Sequence, residues 1–430
     1  KPAQTIRKMH GYSRSWRQDE RGDRYRDYRD DYKDYYRRDE REDGRDRYHS
    51  SRRSRSRTHR RRSRSTSVDS EGHISSNTKS ITDRFIVKRE LDRGTFGAVF
   101  KAWDTKHNEY VAVKVVRRVE RYVEDALVEV DILVFQLLAG FICLYDVILL
   151  IQEKLLDKDR KGTYCVRLYK YFHYKGHLCI VTELLGSSLY NGLKNIRPRE
   201  DGVCGLGMTT VKNITRQLCA AMNYLQSVGL IHADLKTENV LLENAEASLY
   251  DDNPRIKLID FGAATWEKDV HATIIQTRHY RAPEVVMGME WTFPCDMWSV
   301  ACIVLELYEG KLTFDTHDTA QHLAMMERLC GRIPEHMASK AANGAEDFFD
   351  RKDHRLLWPE LSGGSPGRRR DRKAEEEVEA VVPLRRRLGG GRDEAEFLEL
   401  LEGMFHLDPN QRTTAAEALK SPFLVVAAAE

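Results

Sequence analysis

The sequence predicts an α+β chain of two lobes, a small β-rich lobe with one main helix and then a larger helical lobe, behind a disordered N-terminal tail. Three observations predict it. Residues 1–80 contain no Leu or Phe, and their only Ile and Val are Ile6, Val68 and Ile74, so they cannot offset the entropy cost of ordering. Residues 81–185 carry short alternating apolar segments separated by turns, interrupted by one amphipathic stretch. Past Gly186 the mix becomes mostly helical. A chain of 430 residues also exceeds what one hydrophobic core usually serves.

The tail has two textures. Residues 21–47 mix Arg and Asp with Tyr and are nearly charge-balanced, whereas residues 51–66 hold eight Arg and no acid, with hydroxyls between them. That stretch is a polycation that would contact RNA weakly and without sequence preference, by counterion release. Phosphorylation would add roughly −1.5 to −2 charge per serine and neutralise it. The formal charge of +3 thus hides a split: residues 1–80 carry a net +10, and residues 81–430 a net −7.

In the first lobe, Phe85–Arg89 and Ala98–Trp103 read as strands around a glycine-bearing turn, and Tyr110–Val116, Leu144–Ile151, Cys165–Phe172 and His177–Glu183 as further strands. Val123, Ala126, Leu127, Val130, Leu133, Val134 and Leu137 recur at helical spacing, a helix with one buried stripe. In the second lobe, from residue 186 to 430, Thr210–Gln226, Pro294–Glu309 and Ala395–Phe405 are the clearest helices, and 410–423 closes the fold. Residues 362–393 alternate basic, acidic and basic blocks between Gly and Pro, which predicts a mobile surface insertion. No run of 18 apolar residues exists and the start is too polar for a signal peptide, so neither a membrane span nor secretion is expected. The eight cysteines form no CxxC pair and several sit in apolar runs, which favours buried thiols in a reducing compartment.

The chemistry-bearing residues come in a fixed order. Gly94-Thr95-Phe96-Gly97 lies between two strands, where paired glycines allow backbone N–H groups to approach phosphates. Lys114 follows on a strand, and Glu129, within the long helix beside its apolar stripe, can hold it by a salt bridge. His232-Ala233-Asp234-Leu235-Lys236-Thr237-Glu238-Asn239 places a carboxylate, an ammonium and an amide in sequence. Asp234 can accept or orient a hydroxyl proton, Lys236 can neutralise a transferring phosphoryl group, and Asn239 can supply an oxygen to Mg²⁺. Asp260-Phe261-Gly262 then ends a strand-like run, where a second metal contact would come from.

Together with Arg281-Ala282-Pro283-Glu284 and Asp296-Met297-Trp298-Ser299, this order resembles the two-lobed eukaryotic protein kinase fold over about residues 84–424. The string Leu323-Ala324-Met325-Met326-Glu327-Arg328, the Thr277–Glu284 stretch, Glu183-Leu184-Leu185-Gly186 and the Arg/Ser tail are similar to the CDC-like (LAMMER) dual-specificity kinases of the CMGC group. The resemblance implies a nuclear, ATP- and Mg²⁺-dependent enzyme with a monomeric catalytic domain. Such an enzyme phosphorylates Arg/Ser-rich splicing factors and autophosphorylates on Ser, Thr and Tyr. It implies that Lys114 pairs with Glu129 and holds the α/β-phosphates, that Asp234 is the base with Lys236 on the γ-phosphate, and that Asn239 and Asp260 bind Mg²⁺. Leu91, Val99, Ala112, Thr182, Glu183 and Leu185 would complete the ATP site with the glycine loop. Glu238, Thr277 and Arg281 would face the substrate, Glu284 and Arg412 would form a structural ion pair, and Asp296 would support the catalytic loop. The LAMMER stretch would be architectural, with Leu323, Met325 and Met326 packed and Glu327 and Arg328 satisfying neighbouring polar groups.

Two departures stand out. Asp92 replaces the first glycine of the phosphate loop, where it would repel phosphates if turned inward and cost little if turned to solvent. It is also the one feature that favours a scaffold without catalysis. Ala233 replaces the arginine that commonly receives an activation-loop phosphate, so activity without loop phosphorylation is expected.

Overall fold

The computed structural model describes residues 78–94, 97–117, 162–196, 205–269, 271–363, 369–388 and 390–425. The tail, the helix expected over Val123–Leu137, the strand expected over Leu144–Ile151, and Thr95, Phe96 and Glu129 lie outside the described residues.

Six strands form one antiparallel sheet: β1 (Ser80–Ile81), β2 (Phe85–Gly94), β3 (Gly97–Asp104), β4 (Glu109–Val116), β5 (Leu168–Tyr174) and β6 (His177–Glu183), in the order β1-β2-β3-β4-β6-β5. Period-2 alternation decides which side chains reach the cleft. Ala98, Phe100, Ala102, Val111, Val113 and Val115 enter a buried cluster with Ile81, Phe85, Cys179 and Val181. Val99, Ala112 and Lys114 therefore point from the opposite face. The two loop glycines serve different ends. A Cβ on Gly97 would sit 2.2 Å from the Val115 carbonyl oxygen, so close strand packing demands glycine there, whereas a Cβ on Gly94 would meet nothing within 4 Å.

The second lobe is helical: α1 (Leu189–Lys194), α2 (Met208–Ser227), α3 (Pro283–Val286), α4 (Pro294–Glu309), α5 (Thr319–Cys330), α6 (Glu335–Ala338), α7 (Arg372–Glu379), α8 (Arg392–Met404) and α9 (Ala415–Ala418). Helix α4 is buried all round from Cys295 to Leu307, the mark of a central helix, and Gly310 ends it in the left-handed conformation at φ 73°. Helix α2 packs its Val211, Ile214, Leu218, Met222 and Leu225 stripe inward, onto α4. Two small antiparallel pairs, β7 (Leu230–Ile231) with β10 (Thr265–Trp266) and β8 (Val240–Leu242) with β9 (Ile256–Leu258), bracket the polar loops between the lobes.

The expected mobile insertion is corrected in its second half. Asp371 caps α7 by accepting the N–H groups of Lys373 and Ala374, and Ala374, Val378, Val381 and Leu384 are buried. Helix α7 docks on α5, where the Gln321 amide donates to Glu377 at 2.8 Å. The charge blocks conceal an apolar i, i+4, i+7 stripe, which the docking uses. Of the cysteines, Cys165, Cys179, Cys219, Cys295 and Cys302 are buried and Cys330 half-buried; Cys143 and Cys204 lie outside the described residues. Burial pushes the Cys179 and Cys219 thiols up to about 12, which keeps them protonated and unreactive. No helix among the described residues is long and apolar enough to cross a membrane.

Candidate active site

The loop between β7 and β8 is built on helix α4. Both carboxylate oxygens of Asp296, which is buried in the first turn of α4, accept backbone N–H groups, from His232 at 2.7 Å and Ala233 at 3.0 Å. This holds Ala233 at φ 62°, a left-handed conformation costing a non-glycine residue about 1–3 kcal/mol. The small Ala233 side chain is buried, and its carbonyl accepts Gln276 N–H at 2.9 Å.

The sharp turn aims Asp234 at the next groups. Its Oδ1 accepts the backbone N–H of Thr277 at 3.0 Å and the Thr277 hydroxyl at 2.7 Å, and its Oδ2 accepts Lys236 Nζ at 2.9 Å. Lys236 also donates to Thr277 Oγ1 at 3.1 Å, closing the triangle. Burial works against the Lys236 ammonium, but the Asp234 charge outweighs it and holds the lysine above its ordinary range. The Asn239 amide nitrogen donates to the Asp234 carbonyl at 2.9 Å, which leaves its oxygen as the group available to a cation.

Asn239 precedes β8 and Asp260 follows β9, so the hairpin brings both to one end; Ile259 N–H donates to the Asn239 carbonyl at 3.0 Å. Asp260 sits at φ 62°, and its Oδ1 lies 2.9 Å from Lys114 Nζ, which links β4 of the first lobe to this end of the hairpin. Burial opposes ionisation of Asp260, but Lys114 outweighs it and holds the carboxyl below its usual range. An ionised carboxylate and an amide oxygen at one end of a hairpin are the hard donors that Mg²⁺ takes, so the residues fit that ion.

Ala112 is the cross-strand partner of Thr182, Val99 that of Lys114, and Leu185 is buried at the end of the first lobe. Leu91 is half-buried in β2. Asp92 is exposed, and its Oδ1 accepts the N–H of Arg93 at 2.8 Å, so its charge is solvated and locally satisfied. Arg281 donates to the carbonyls of Ile275 and Gln276 at 2.9 and 2.8 Å; burial, aided by Arg278, pulls its guanidinium down to about 10. Glu284 and Arg412 form a two-bond ion pair at 2.7 and 2.8 Å, both side chains fully buried.

The protein kinase domain model matches residues 85–424. The chain is 36% identical over 376 residues to the serine/threonine-protein kinase AFC3 of Arabidopsis thaliana, covering 83% of this chain and 86% of that protein. It is 36% identical over 380 residues to the dual specificity protein kinase CLK1 of Homo sapiens, covering 85% and 71%. A crystal structure of the PF14_0431 kinase domain superposes with a TM-score of 0.69 at 31% identity, covering 83% of this chain and all of that one. The chain belongs to the LAMMER protein kinases.

In this LAMMER kinase the name-giving string lies on α5 with Leu323, Met325 and Met326 buried. Glu327 accepts Ile333 N–H at 2.9 Å, whereas Arg328 is exposed and bonds no polar group among the described residues; the expectation for Arg328 is corrected, because its position on α5 faces solvent.

A second acid beside the catalytic loop escapes sequence reasoning. Glu306 of α4 is 5% exposed and accepts the Tyr280 hydroxyl at 2.6 Å, while Thr237 Oγ1 lies 3.0 Å from the same hydroxyl. The available signal was a lone charge inside the apolar run Val304-Leu305-Glu306-Leu307. Burial, reinforced by the charge of Glu238, pushes Glu306 up to about 7 against the hydrogen bonds it receives. An unfolded glutamate ionises near 4.5, so the kinase gains stability below that pH and loses it as pH climbs through the window to about 7. Glu306→Gln removes this slope: relative to wild type, the variant should gain up to about 3 kcal/mol between pH 5 and pH 8 in denaturant melts. Equal slopes for the two proteins would refute it.

Proposed function

We propose that this LAMMER kinase transfers the γ-phosphoryl group of ATP to hydroxyls flanked by arginine, with Arg/Ser-rich splicing factors as its substrates in the nucleus. The observation that carries the reading is the convergence of Asp234, Lys236, Thr277 and Asn239 with the Lys114–Asp260 pair at one end of the β8–β9 hairpin. The acceptor oxygen attacks the γ-phosphorus, the bond to the β,γ-bridging oxygen breaks, ADP leaves, and Asp234 receives the acceptor's proton. Lys236, fixed between Asp234 and Thr277, offsets the charge on the moving group. Asn239 and Asp260 would hold Mg²⁺, which supplies charge neutralisation to the phosphates when bound. Lys114 orients the α/β-phosphates, and its counterpart Glu129 lies outside the described residues. Backbone groups of Glu183 and Leu185 would receive the adenine, behind Thr182.

The substrate class rests on charge. Residues 81–430 carry a net −7, and Glu238, half-buried beside Asn239, adds a carboxylate whose charge reaches Lys236 of the catalytic loop. Initial rates on an Arg-Ser repeat peptide should exceed those on a serine peptide flanked by Asp and Glu by at least about tenfold at low salt. The gap should narrow as ionic strength shortens the screening length below about 10 Å. Equal rates, or a gap indifferent to salt, would remove the arginine preference. RNA contact through residues 51–66 is a separate and weaker activity, expected as salt-sensitive binding lost when the tail is deleted.

Activity is expected without phosphate on the activation segment. Ala233 offers no guanidinium to receive one. Anchors intrinsic to the segment stand in its place. The rings of His271 and Trp291 stack at 4.3 Å, Trp291 Nε1 donates to the Ala272 carbonyl at 2.9 Å, and the Gln276 amide donates to Cys295 and Ser299 of α4 at 2.8 Å each. Phosphatase-treated kinase should keep most of its rate on the Arg-Ser peptide; a loss beyond about tenfold would show that a phosphate is part of the switch.

A further inference from the structure

The β8–β9 hairpin carries a buried cation that none of these roles uses. Lys257 lies mid-strand in β9 opposite Leu241, with its side chain only 3% exposed. Its ammonium reaches away from the metal-binding end and toward β6. There Nζ lies 2.8 Å from both carboxylate oxygens of Glu183 and 3.4 Å from Oε1 of Glu243. Glu183 also accepts Arg167 N–H at 2.8 Å, and Glu243 accepts Arg255 Nε at 2.7 Å, so both carboxylates are held in place.

Two features of this arrangement matter. A lysine this buried is stable only with compensating charge, so the contact is an obligatory one. And the two structures it joins are those that the nucleotide reading assigns to the base and to the metal. Glu183 closes β6, where the adenine-facing backbone begins. Lys257 stands three residues before Asp260 in a strand whose partner β8 begins just after Asn239. We infer that Lys257 is a positioning residue that sets the separation between the base-binding strand end and the metal-binding hairpin end, so that a metal–nucleotide spanning both finds them already spaced. The inference rests on the nucleotide reading given above.

A ligand that engages both ends gains from correct spacing, because its second contact becomes intramolecular; a ligand that engages one end gains nothing. The test is calorimetric binding of two ligands, adenosine and the Mg²⁺ complex of the β,γ-imido analogue of ATP, to wild type, Lys257→Met and Glu183→Gln. In Lys257→Met the spanning ligand should weaken by about tenfold or more and adenosine by less than about threefold. In Glu183→Gln, where Lys257 keeps Glu243 and no buried charge is orphaned, the same selective loss should appear at smaller size. Equal losses for both ligands, or a lowered melting temperature with no selective loss, would overturn the inference and leave Lys257 a packing residue. If Lys257→Met does not fold, absence of a selective loss in Glu183→Gln overturns it equally. Wild-type protein that binds neither ligand would instead sink the nucleotide reading itself, and this inference with it.

Discussion

Asn in place of Asp234 should slow transfer to an Arg-Ser peptide by roughly 10²–10⁴-fold, with Mg²⁺–ATP still bound at close to wild-type affinity. The substitution is nearly isosteric, and its effects separate cleanly. The amide oxygen can still accept the Thr277 N–H and hydroxyl that now reach Oδ1 at 3.0 and 2.7 Å. The amide nitrogen, however, must then face Lys236 Nζ, which the carboxylate now holds at 2.9 Å. A proton acceptor is lost and an attraction becomes a repulsion between donors. The side chains of both residues are about one-fifth exposed, so water can relieve part of that repulsion and the stability cost should be modest. A fall in kcat with the ATP KM unmoved is therefore the expected split. Autophosphorylation at an unchanged rate in this variant would mean that the lobes serve docking instead of catalysis.

What could be read from the chain alone, and what could not, divides along sequence separation. Lys114 was legible because the alternation of Val111, Val113 and Val115 into the core leaves it no other face. The turn from His232 to Asn239 was legible because its groups are close in the chain, although its support by Asp296 needed the resemblance. The left-handed backbone at Ala233 and Asp260 left no compositional trace, since neither residue is a glycine. Two pairings are out of reach. Lys257 and Glu183 stand 74 positions apart, and Glu306 meets Tyr280 across 26, with nothing in local pattern to connect them. The second half of the 362–393 insertion shows the converse. Its Arg and Glu blocks dominate the composition, yet four small or branched apolar side chains, Ala374, Val378, Val381 and Leu384, decide where it packs. Asp92 was undecidable for a simpler reason: whether a carboxylate repels phosphates depends on a single side-chain rotation, and here it is exposed and bonded to the next N–H.

The Glu284–Arg412 pair should carry the largest single stability effect in the second lobe, and the two halves of the pair should not cost the same. Arg412 is the more connected partner. Besides its two bonds to Glu284, its guanidinium donates to the carbonyls of His406, Pro294 and Leu407 at 2.9, 2.8 and 3.2 Å and stands 5.2 Å from the Trp298 ring centre. Arg412→Met removes all of this and strands a fully buried carboxylate, a situation that costs about 3–5 kcal/mol. Glu284→Gln keeps one acceptor toward Arg412, and the guanidinium retains its three carbonyls, so the loss should be nearer 1–3 kcal/mol, roughly the cost of an imperfectly satisfied buried group. At about 2 °C per kcal/mol for a domain this large, melting should fall by roughly 6–10 °C in the first variant and by less than about 6 °C in the second. The ordering is the decisive result. Because Glu284 lies on α3, directly after the segment that holds Thr277 and Arg281, Arg412→Met should also lose rate on peptide at temperatures well below its melting point. Equal melting temperatures for the two variants would mean that the carbonyl contacts are energetically silent, and a wild-type melt for Arg412→Met would show that the activation segment is anchored by α4 alone.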